Sequence, residues 1–205
     1  MGTQEAGQRD GLGPTEAAKE ERRREDLEGG FYDLDFAAHR CRRYHEKLTV
    51  FYGAWRNAFR VVTVLAGSSA FFVVVAEFQS LAVFITAFVG LWAILDIVWM
   101  PDKKHDLHNE LCKRFIGLAA KIERAPRTEE ALRELRAERL LIEQNEPPCK
   151  RLVDIEARND ELRARNFPPE MLAPLTSWQR TAGRYGSNWG LVRLEKWKAE
   201  QPRHS

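Results

Sequence analysis

Hydrophobic residues follow two patterns in this sequence: two long uninterrupted runs near the middle, and single positions three or four residues apart on either side. Residues 61–76, VVTVLAGSSAFFVVVA, carry no charge, and residues 80–100 carry one, Asp96. Extended back to residue 58, the first run matches the second at the roughly 20 residues that cross a bilayer. The pattern predicts two transmembrane helices, over about residues 58–77 and 80–100. The alternative, two buried helices of a soluble core, needs a larger apolar shell than the charged flanks supply.

The connector between the two runs is short, EFQS at residues 77–80. The two helices must therefore be antiparallel neighbours, and a turn centred on the connector places Asp96 beside Arg60, close to one membrane boundary. A carboxylate within lipid is costly, and an arginine that pairs with it or reaches the interface lowers that cost. We predict a clasp between Arg60 and Asp96. The alternatives are that Asp96 lines a pore or lies in a contact between subunits.

Small residues indicate where membrane helices approach one another closely. The same turn places Gly67 level with Gly90, and the residues around Gly67 are alanine and serine. Small side chains let membrane helices pack without a hydrophobic driving force. We predict a packing contact at these glycines, either within the hairpin or between copies of the chain.

The flanking segments have the spacing of amphipathic helices. Before the first run, one helical face carries Leu34, Ala38, Cys41, Tyr44 or His45, Leu48, Tyr52 and Trp55. After the second run, a matching face carries Leu107, Leu111, Phe115 or Leu118, and Ile122. Pro126 ends this helix, because proline cannot continue a helical hydrogen-bond pattern.

Two further helices are predicted beyond Pro126. Thr128 is a good N-cap for the first, which ends before Pro147. This helix carries Leu132, Leu135, Leu140 and Ile142, and the next runs through Leu152, Ile155 and Leu162. No segment alternates with period two, so the sequence predicts an all-α membrane protein: a two-helix transmembrane hairpin continued by a cytosolic helical stalk or bundle.

These patterns divide the chain into four parts. We predict a disordered charged tail over residues 1–30, the hairpin with its helical extensions over 31–125, and a cytosolic helical hairpin over 126–167. Residues 168–205 form a C-terminal segment with three tryptophans, Trp178, Trp189 and Trp197.

Composition changes this picture in three respects. The mean hydropathy of the whole chain is −0.46. This value is polar because it averages the apolar runs with the charged segments on either side of them. Lysine and arginine flank both runs and are absent from the connector, so we predict a multi-pass protein with both termini in the cytoplasm. The net charge of +2 and the three separated cysteines give no case for nucleic-acid binding or a zinc ribbon.

One cluster of side chains has the residue types of a metal site. His105, His108 and Cys112 share a helix face, and the hairpin geometry brings His45 level with Cys112, a set that could bind zinc. Histidines are also ordinary just below a membrane, and we predict no metal and no cofactor. Nucleotide-binding, hydrolase and potassium-filter motifs are absent from the sequence, so we predict that the protein is not an enzyme.

Taken together, these features resemble the bacterial SLATT proteins, two-transmembrane domains associated with SMODS nucleotide-signalling and SLOG sensor systems. The resemblance covers roughly residues 32–166 and includes the tight hairpin and Asp96 at the end of its second helix. It is also carried by His108, Leu111, Phe115 and Leu118, and by the block RLLIEQNEPP with Arg139, Glu143, Glu146, Pro147 and Pro148.

The resemblance implies a function in antiviral defence or another biological conflict. It implies an effector in a bacterial inner membrane that oligomerises, forms a pore and permeabilises the cell's own membrane. Activation would come from a cytosolic sensor or a nucleotide-signalling partner. The alternative function is a non-enzymatic membrane scaffold whose cytosolic helices bind a partner protein.

Overall fold

The structure, a computed structural model, describes residues 16–68 and 79–186, and its regular structure in these ranges is helical throughout. The prediction of an all-α fold is confirmed. The helices are α1 (Glu16–Ala66), α2 (Gln79–Trp99), α3 (Pro101–Arg124), α4 (Glu129–Glu143), α5 (Arg151–Ala164) and α6 (Ser177–Arg184), with a 3-10 turn at Pro169–Met171.

Helix α1 begins well before the predicted hairpin extension. The predicted disordered tail is wrong from Glu16 onward, and residues 1–15 lie outside the described residues. The early start has a physical reason, because Leu27 packs on the core and Arg23 pairs with Glu129 of α4 at 2.5 Å. The helix then continues without a break into the predicted first span, as expected.

The core lies between α1 and α3, which run antiparallel, and α4 closes one side. Its largest cluster joins Phe31, Leu34 and Ala38 of α1, Leu111, Phe115, Leu118 and Ile122 of α3, and Leu132, Leu135 and Ile142 of α4. Two predicted core residues are exposed instead: Leu107 (38%) and Leu140 (65%). The buried row on α3 runs through His108 and Leu111, and Leu107 lies about 100° away from His108 around the helix.

Helix α5 packs antiparallel to α1 along a mixed interface. Val153 and Ala157 contact Tyr44 and Leu48, and Glu161 bonds Arg43 at 2.7 Å. Helices α4 and α5 each contact α1 rather than mainly each other. Residues 126–167 are therefore not the separate helical hairpin that was predicted.

Local signals define the ends of the helices. The Thr128 hydroxyl accepts a hydrogen bond from the amide of Ala131, which confirms the predicted N-cap. Between α2 and α3, Met100 has φ 50°, a left-handed conformation that non-glycine residues adopt rarely, and Pro101 follows it. The second apolar helix thus ends where the prediction placed it.

The first part of the C-terminal segment folds back on α5. The Asn159 amide brackets the backbone of Ala173, donating to its carbonyl at 2.8 Å and accepting from its N–H at 2.9 Å. Helix α6 begins with a capping box at Thr176 and contacts α5 through Gly183. Trp178 is exposed, and Trp189 and Trp197 lie outside the described residues.

The contact at Gly183 yields a stability prediction. An added Cβ there would lie 2.6 Å from Leu152 Cβ, an atom that cannot rotate away. We expect Gly183→Ala to lower the free energy of unfolding by about 1–3 kcal/mol in thermal or urea unfolding. Gly117→Ala is the control, since its Cβ meets no atom within 4 Å and alanine raises helix stability by about 0.5–1 kcal/mol. Equal effects of the two variants would contradict the docking of α6.

Candidate functional site

Helix α2 presents an apolar surface that the rest of the described chain leaves uncovered. With its continuation into α3, it is the one helix among the described residues that is long and apolar enough to cross a membrane, and none of its most apolar stretch is buried. The exposed side chains include Val83, Phe84, Phe88, Leu91, Ile94, Ile97 and Val98. The end of α1 continues this surface with Val61, Val64 and Leu65.

The charged residues at the foot of α2 pair differently from the prediction. Arg60 Nη2 donates to Asp102 Oδ1 at 3.0 Å, and Arg56 lies 3.8 Å from both Asp102 and Asp106. The predicted Arg60–Asp96 clasp is therefore not formed, because α3 offers Arg60 a water-exposed carboxylate below the apolar stretch. Asp96 is partly exposed and has no ion-pair partner within residues 16–68 and 79–186. Its predicted role in a pore stays a prediction.

The two predicted packing glycines do not meet each other within the described chain. Both are exposed, and a Cβ on Gly90 would meet no atom within 4 Å. A Cβ on Gly67 would touch only carbonyl oxygens of its own helix, the nearer being Thr63 O at 3.4 Å. A packing contact between these positions is thus not seen among residues 16–68 and 79–186, and contact with another copy stays a prediction.

Aromatic rings surround the junction between α1, α2 and α6. Trp55 lies 4.9 Å from Trp99 between ring centroids, and Phe59 lies 4.6 Å from Trp92. Tyr185, at the end of α6, packs on Trp99 at 5.7 Å. We call Phe51, Trp55, Trp99 and Tyr185 the aromatic collar. Its position just below the apolar surface is the one that tryptophan and tyrosine favour at a membrane boundary.

Below the collar, two histidines meet inside the helix bundle. His45 of α1 is 0% exposed and His108 of α3 is 3% exposed, and their Nδ1 atoms are 2.9 Å apart. The other ring nitrogen of His45 lies 3.1 Å from Glu146 Oε1, in the loop between α4 and α5. The three side chains form one hydrogen-bonded chain across three separate segments.

Aromatic stacking surrounds this chain and excludes water. The His45 ring stacks on Phe115 and the His108 ring on Tyr52, each at 5.6 Å between centroids. Burial lowers the pKa of His108 to about 3, with the charge of His45 as a smaller cause, so His108 is neutral at pH 7. The Glu146 carboxylate accepts a hydrogen bond from Nε2 of His45, and one of the two Nδ1 atoms donates to the other.

The residues behind the family resemblance separate into two groups. His108, Leu111, Phe115 and Leu118 form the buried row of α3. In the second group Arg139 pairs with Glu143 one turn later, at 2.6 Å, and Glu146 reaches His45. Pro147 and Pro148 lead to Lys150, whose amide donates to the Tyr44 hydroxyl at 3.0 Å. The block thus attaches the loop between α4 and α5 to α1.

The sequence pattern placed His45 on the apolar face of α1 and His108 in the family motif, and otherwise joined the two only as possible zinc ligands. The structure joins these two directly but directs Cys112 to the carbonyl oxygen of Arg42 at 3.7 Å, and His105 to Arg56 at 3.0 Å. No group of three histidine, cysteine, aspartate or glutamate side chains suited to a metal occurs in the described part of the chain. Tyr52 and Lys150 were missed as polar contacts. Their only signal was the placement of Tyr52 on the buried face of α1.

Comparisons with known proteins add no relative. No protein-family model matches the chain, and neither the curated proteins nor the solved structures give a match. The resemblance to SLATT proteins therefore stays a prediction that rests on the residues quoted above.

The buried histidine predicts how stability depends on pH. The folded pKa of His108, about 3, lies below its ordinary value of 6.5, so the unfolded chain takes up the proton first. The free energy of unfolding should fall as the pH drops below about 6.5, with roughly 2 kcal/mol lost through His108 by pH 5. We expect urea unfolding of His108→Gln to show a pH dependence smaller by that amount. Asn109→Gln, on the same helix, should keep the wild-type dependence.

A direct measurement on the wild-type protein complements the variant. Histidine NMR at pH 5 should show the His108 ring in its neutral form, because burial opposes its charge. A protonated His108 ring at pH 5, or equal pH dependence in wild type and His108→Gln, would contradict this electrostatic account.

Proposed function

We propose that this chain is a two-span membrane protein that assembles into oligomers and permeabilises the membrane in a conflict or nucleotide-signalling system. The observation that carries the membrane part is the uncovered apolar surface of α2. Monomers in water rarely expose apolar patches larger than a few hundred square ångströms. A bilayer removes that cost, because lipid tails cover every side of a helix that has satisfied its own backbone hydrogen bonds.

The arrangement around the foot of α2 supports a membrane boundary at that level. The aromatic collar and the ion pairs of Arg56 and Arg60 lie side by side where the apolar surface ends. Lys103 is exposed one turn past the end of α2. Because cationic residues next to spans stay in the cytoplasm, the helix bundle belongs on the cytoplasmic side of a bacterial inner membrane.

Assembly of several copies is supported by what one copy leaves unsatisfied. Asp96 lies within the apolar surface without an ion-pair partner in the described chain, and Gly90 is open. Ionisable residues inside membranes usually face a bundle interior or a water-filled path. One hairpin cannot enclose such a path, so Asp96 and the glycines support an oligomer with a shared polar axis. The SLATT resemblance supports the effector role.

Topology is the first test of this proposal. In a variant without the three native cysteines, a single cysteine at Gln79 should react with a membrane-impermeant thiol reagent on intact cells. A single cysteine at Lys103, which is exposed on the other side of the apolar helix, should react only after the cells are opened. Labelling of Lys103→Cys on intact cells would overturn the proposed orientation. Labelling of both positions would overturn the spanning arrangement.

Permeabilisation is the second test. Overproduction, or activation by the partner and its signal, should depolarise the cell membrane, as measured with a potential-sensitive dye. Gly67→Leu should lower both assembly on native gels and depolarisation, because a bulky side chain separates helices that cross closely. Gly117→Leu is the matched control, since Gly117 is an exposed glycine of α3 in the cytosolic bundle.

The role of Asp96 separates a pore from other functions. If Asp96 lines the path, Asp96→Asn should leave the amount of membrane protein and its assembly unchanged while altering ion flux. Blotting and dye measurements on the same cultures give both quantities. If the wild-type protein accumulates with its partner and signal and the potential never falls, the effector function is wrong. The scaffold function, in which the cytosolic helices bind a partner, then replaces it.

A further inference from the structure

Two lysine side chains converge on one tyrosine ring beneath the aromatic collar. Lys150 Nζ lies 5.0 Å from the centroid of the Tyr52 ring and donates to the Tyr52 hydroxyl at 2.9 Å. Lys104 Nζ, from α3, lies 5.6 Å from the same centroid. The two ammonium groups come from segments far apart in sequence, and both side chains are partly exposed. The fold therefore brings two cationic side chains to one tyrosine ring. We call Tyr52, Lys104 and Lys150 the cationic cleft.

This cleft has no carboxylate to balance its charge. Within residues 16–68 and 79–186, neither Lys104 nor Lys150 forms a salt bridge, although Asp102 and Asp106 both do. Asp102 and Asp106 flank Lys104 in sequence but face Arg56 and Arg60. Burial lowers the pKa of Lys150 to about 8, with repulsion from Lys104 as the second cause. The structure thus holds two like charges together at a cost.

A purely structural role accounts for one lysine and not for the other. Lys150 also donates to the carbonyl of Arg184, so it stabilises the C-terminal end of α6, where the helix dipole favours a cation. The Lys104 ammonium group makes no hydrogen bond in the described part of the chain, where its contact is with the Tyr52 ring. Its contact with the Tyr52 ring would be stronger without a second cation near the same ring. Within the described residues, the Lys104 ammonium group has no carboxylate partner and is available to bind an anion.

We propose that Lys104 and Lys150, with the Tyr52 hydroxyl, bind the phosphate group of an anionic phospholipid headgroup at the cytoplasmic face. Ammonium groups at a membrane surface attract anionic lipids, and basic pockets beside membrane helices hold their headgroups. The neighbouring rings of Phe51, Trp99 and Tyr185 suit the glycerol and upper acyl region of such a lipid. Binding of a lipid rests on the membrane placement proposed above. Binding of a phosphate group by the cleft does not depend on that placement.

The test compares two lipids that differ only in headgroup charge. The purified full-length protein is placed in vesicles that contain brominated phosphatidylglycerol or brominated phosphatidylcholine at equal mole fraction. Bromine quenches nearby tryptophans, and Trp55 and Trp99 lie in the collar beside the cleft. We expect stronger quenching by the anionic lipid, with an apparent preference on the order of tenfold for two lysines at a membrane surface. Equal quenching by the two lipids would overturn the proposal.

Substitutions localise the preference. Lys104→Gln should lower it several-fold without changing the melting temperature, since the Lys104 ammonium group makes no hydrogen bond in the described chain. Lys104→Arg should restore it. Lys103→Gln removes the same charge from the adjacent, exposed position and should leave the preference intact. An equal loss in Lys103→Gln and Lys104→Gln would assign the preference to general surface charge and overturn a local site.

Two further measurements identify the source of the phosphate. Inorganic phosphate added at constant ionic strength either competes with phosphatidylglycerol, which assigns recognition to the phosphate group alone, or does not, which assigns it to the lipid headgroup. Vesicle flotation tests the membrane placement separately. If the protein fails to float, lipid binding fails with the proposed function. The cleft is then tested by a phosphate-dependent rise in melting temperature that Lys104→Gln abolishes, and absence of that rise overturns the site.

Discussion

The seam between α1 and α3 is the constraint on which the other elements depend. Its apolar row from Phe31 to Ile122 supplies the core, and at its upper end the His45–His108 pair takes the place of an apolar contact. A buried hydrogen bond between two side chains fixes their separation and register more sharply than apolar packing does, because each unpaired partner would cost free energy. The helices that pack on α1 are therefore positioned relative to this seam.

At the end of the seam nearest α2, polar contacts from the loop between α4 and α5 hold the bundle together. Glu146 reaches His45, the Lys150 amide reaches Tyr44, and the Lys150 amine reaches Tyr52 and α6. A change in the position of this loop therefore alters contacts immediately below the aromatic collar. The loop is the shortest physical connection between the cytosolic helices and the apolar surface of α2.

Charge is distributed so that each level of the molecule has its own compensation. Deep in the bundle, Glu161 is shared by Arg43 and Arg165, which offsets the cost of its burial. Just after the C-terminal end of α2, Asp102 forms ion pairs with Arg56 and Arg60. Asp96 within the apolar surface and the Lys104–Lys150 pair beneath it form no salt bridge among the described residues. These two positions are where the monomer depends most on something outside itself.

Much of the fold could be predicted because helices are encoded locally. The spacing of Leu34, Leu48 and Tyr52 identified the buried face of α1, and Thr128 with Pro126 defined the gap between α3 and α4. Errors arose where one residue decides between neighbouring rows, as at Leu107, and where a charged segment gains its order from a distant partner, as Arg23 does from Glu129. Hydrophobic periodicity shows which residues share a helix face, but it does not show which element covers that face.

The sequence by itself determined the helical class, the apolar stretch of α2 and the cations beside it, because these follow from composition and spacing within single segments. Only the tertiary structure decided that Arg60 pairs with Asp102, that His45 meets His108, and that Lys150 meets Tyr52. A shift of one helical turn along α1 or α3, about 5.4 Å, would exchange every one of these partners. That register is set by the summed packing of the whole seam, which no local pattern contains.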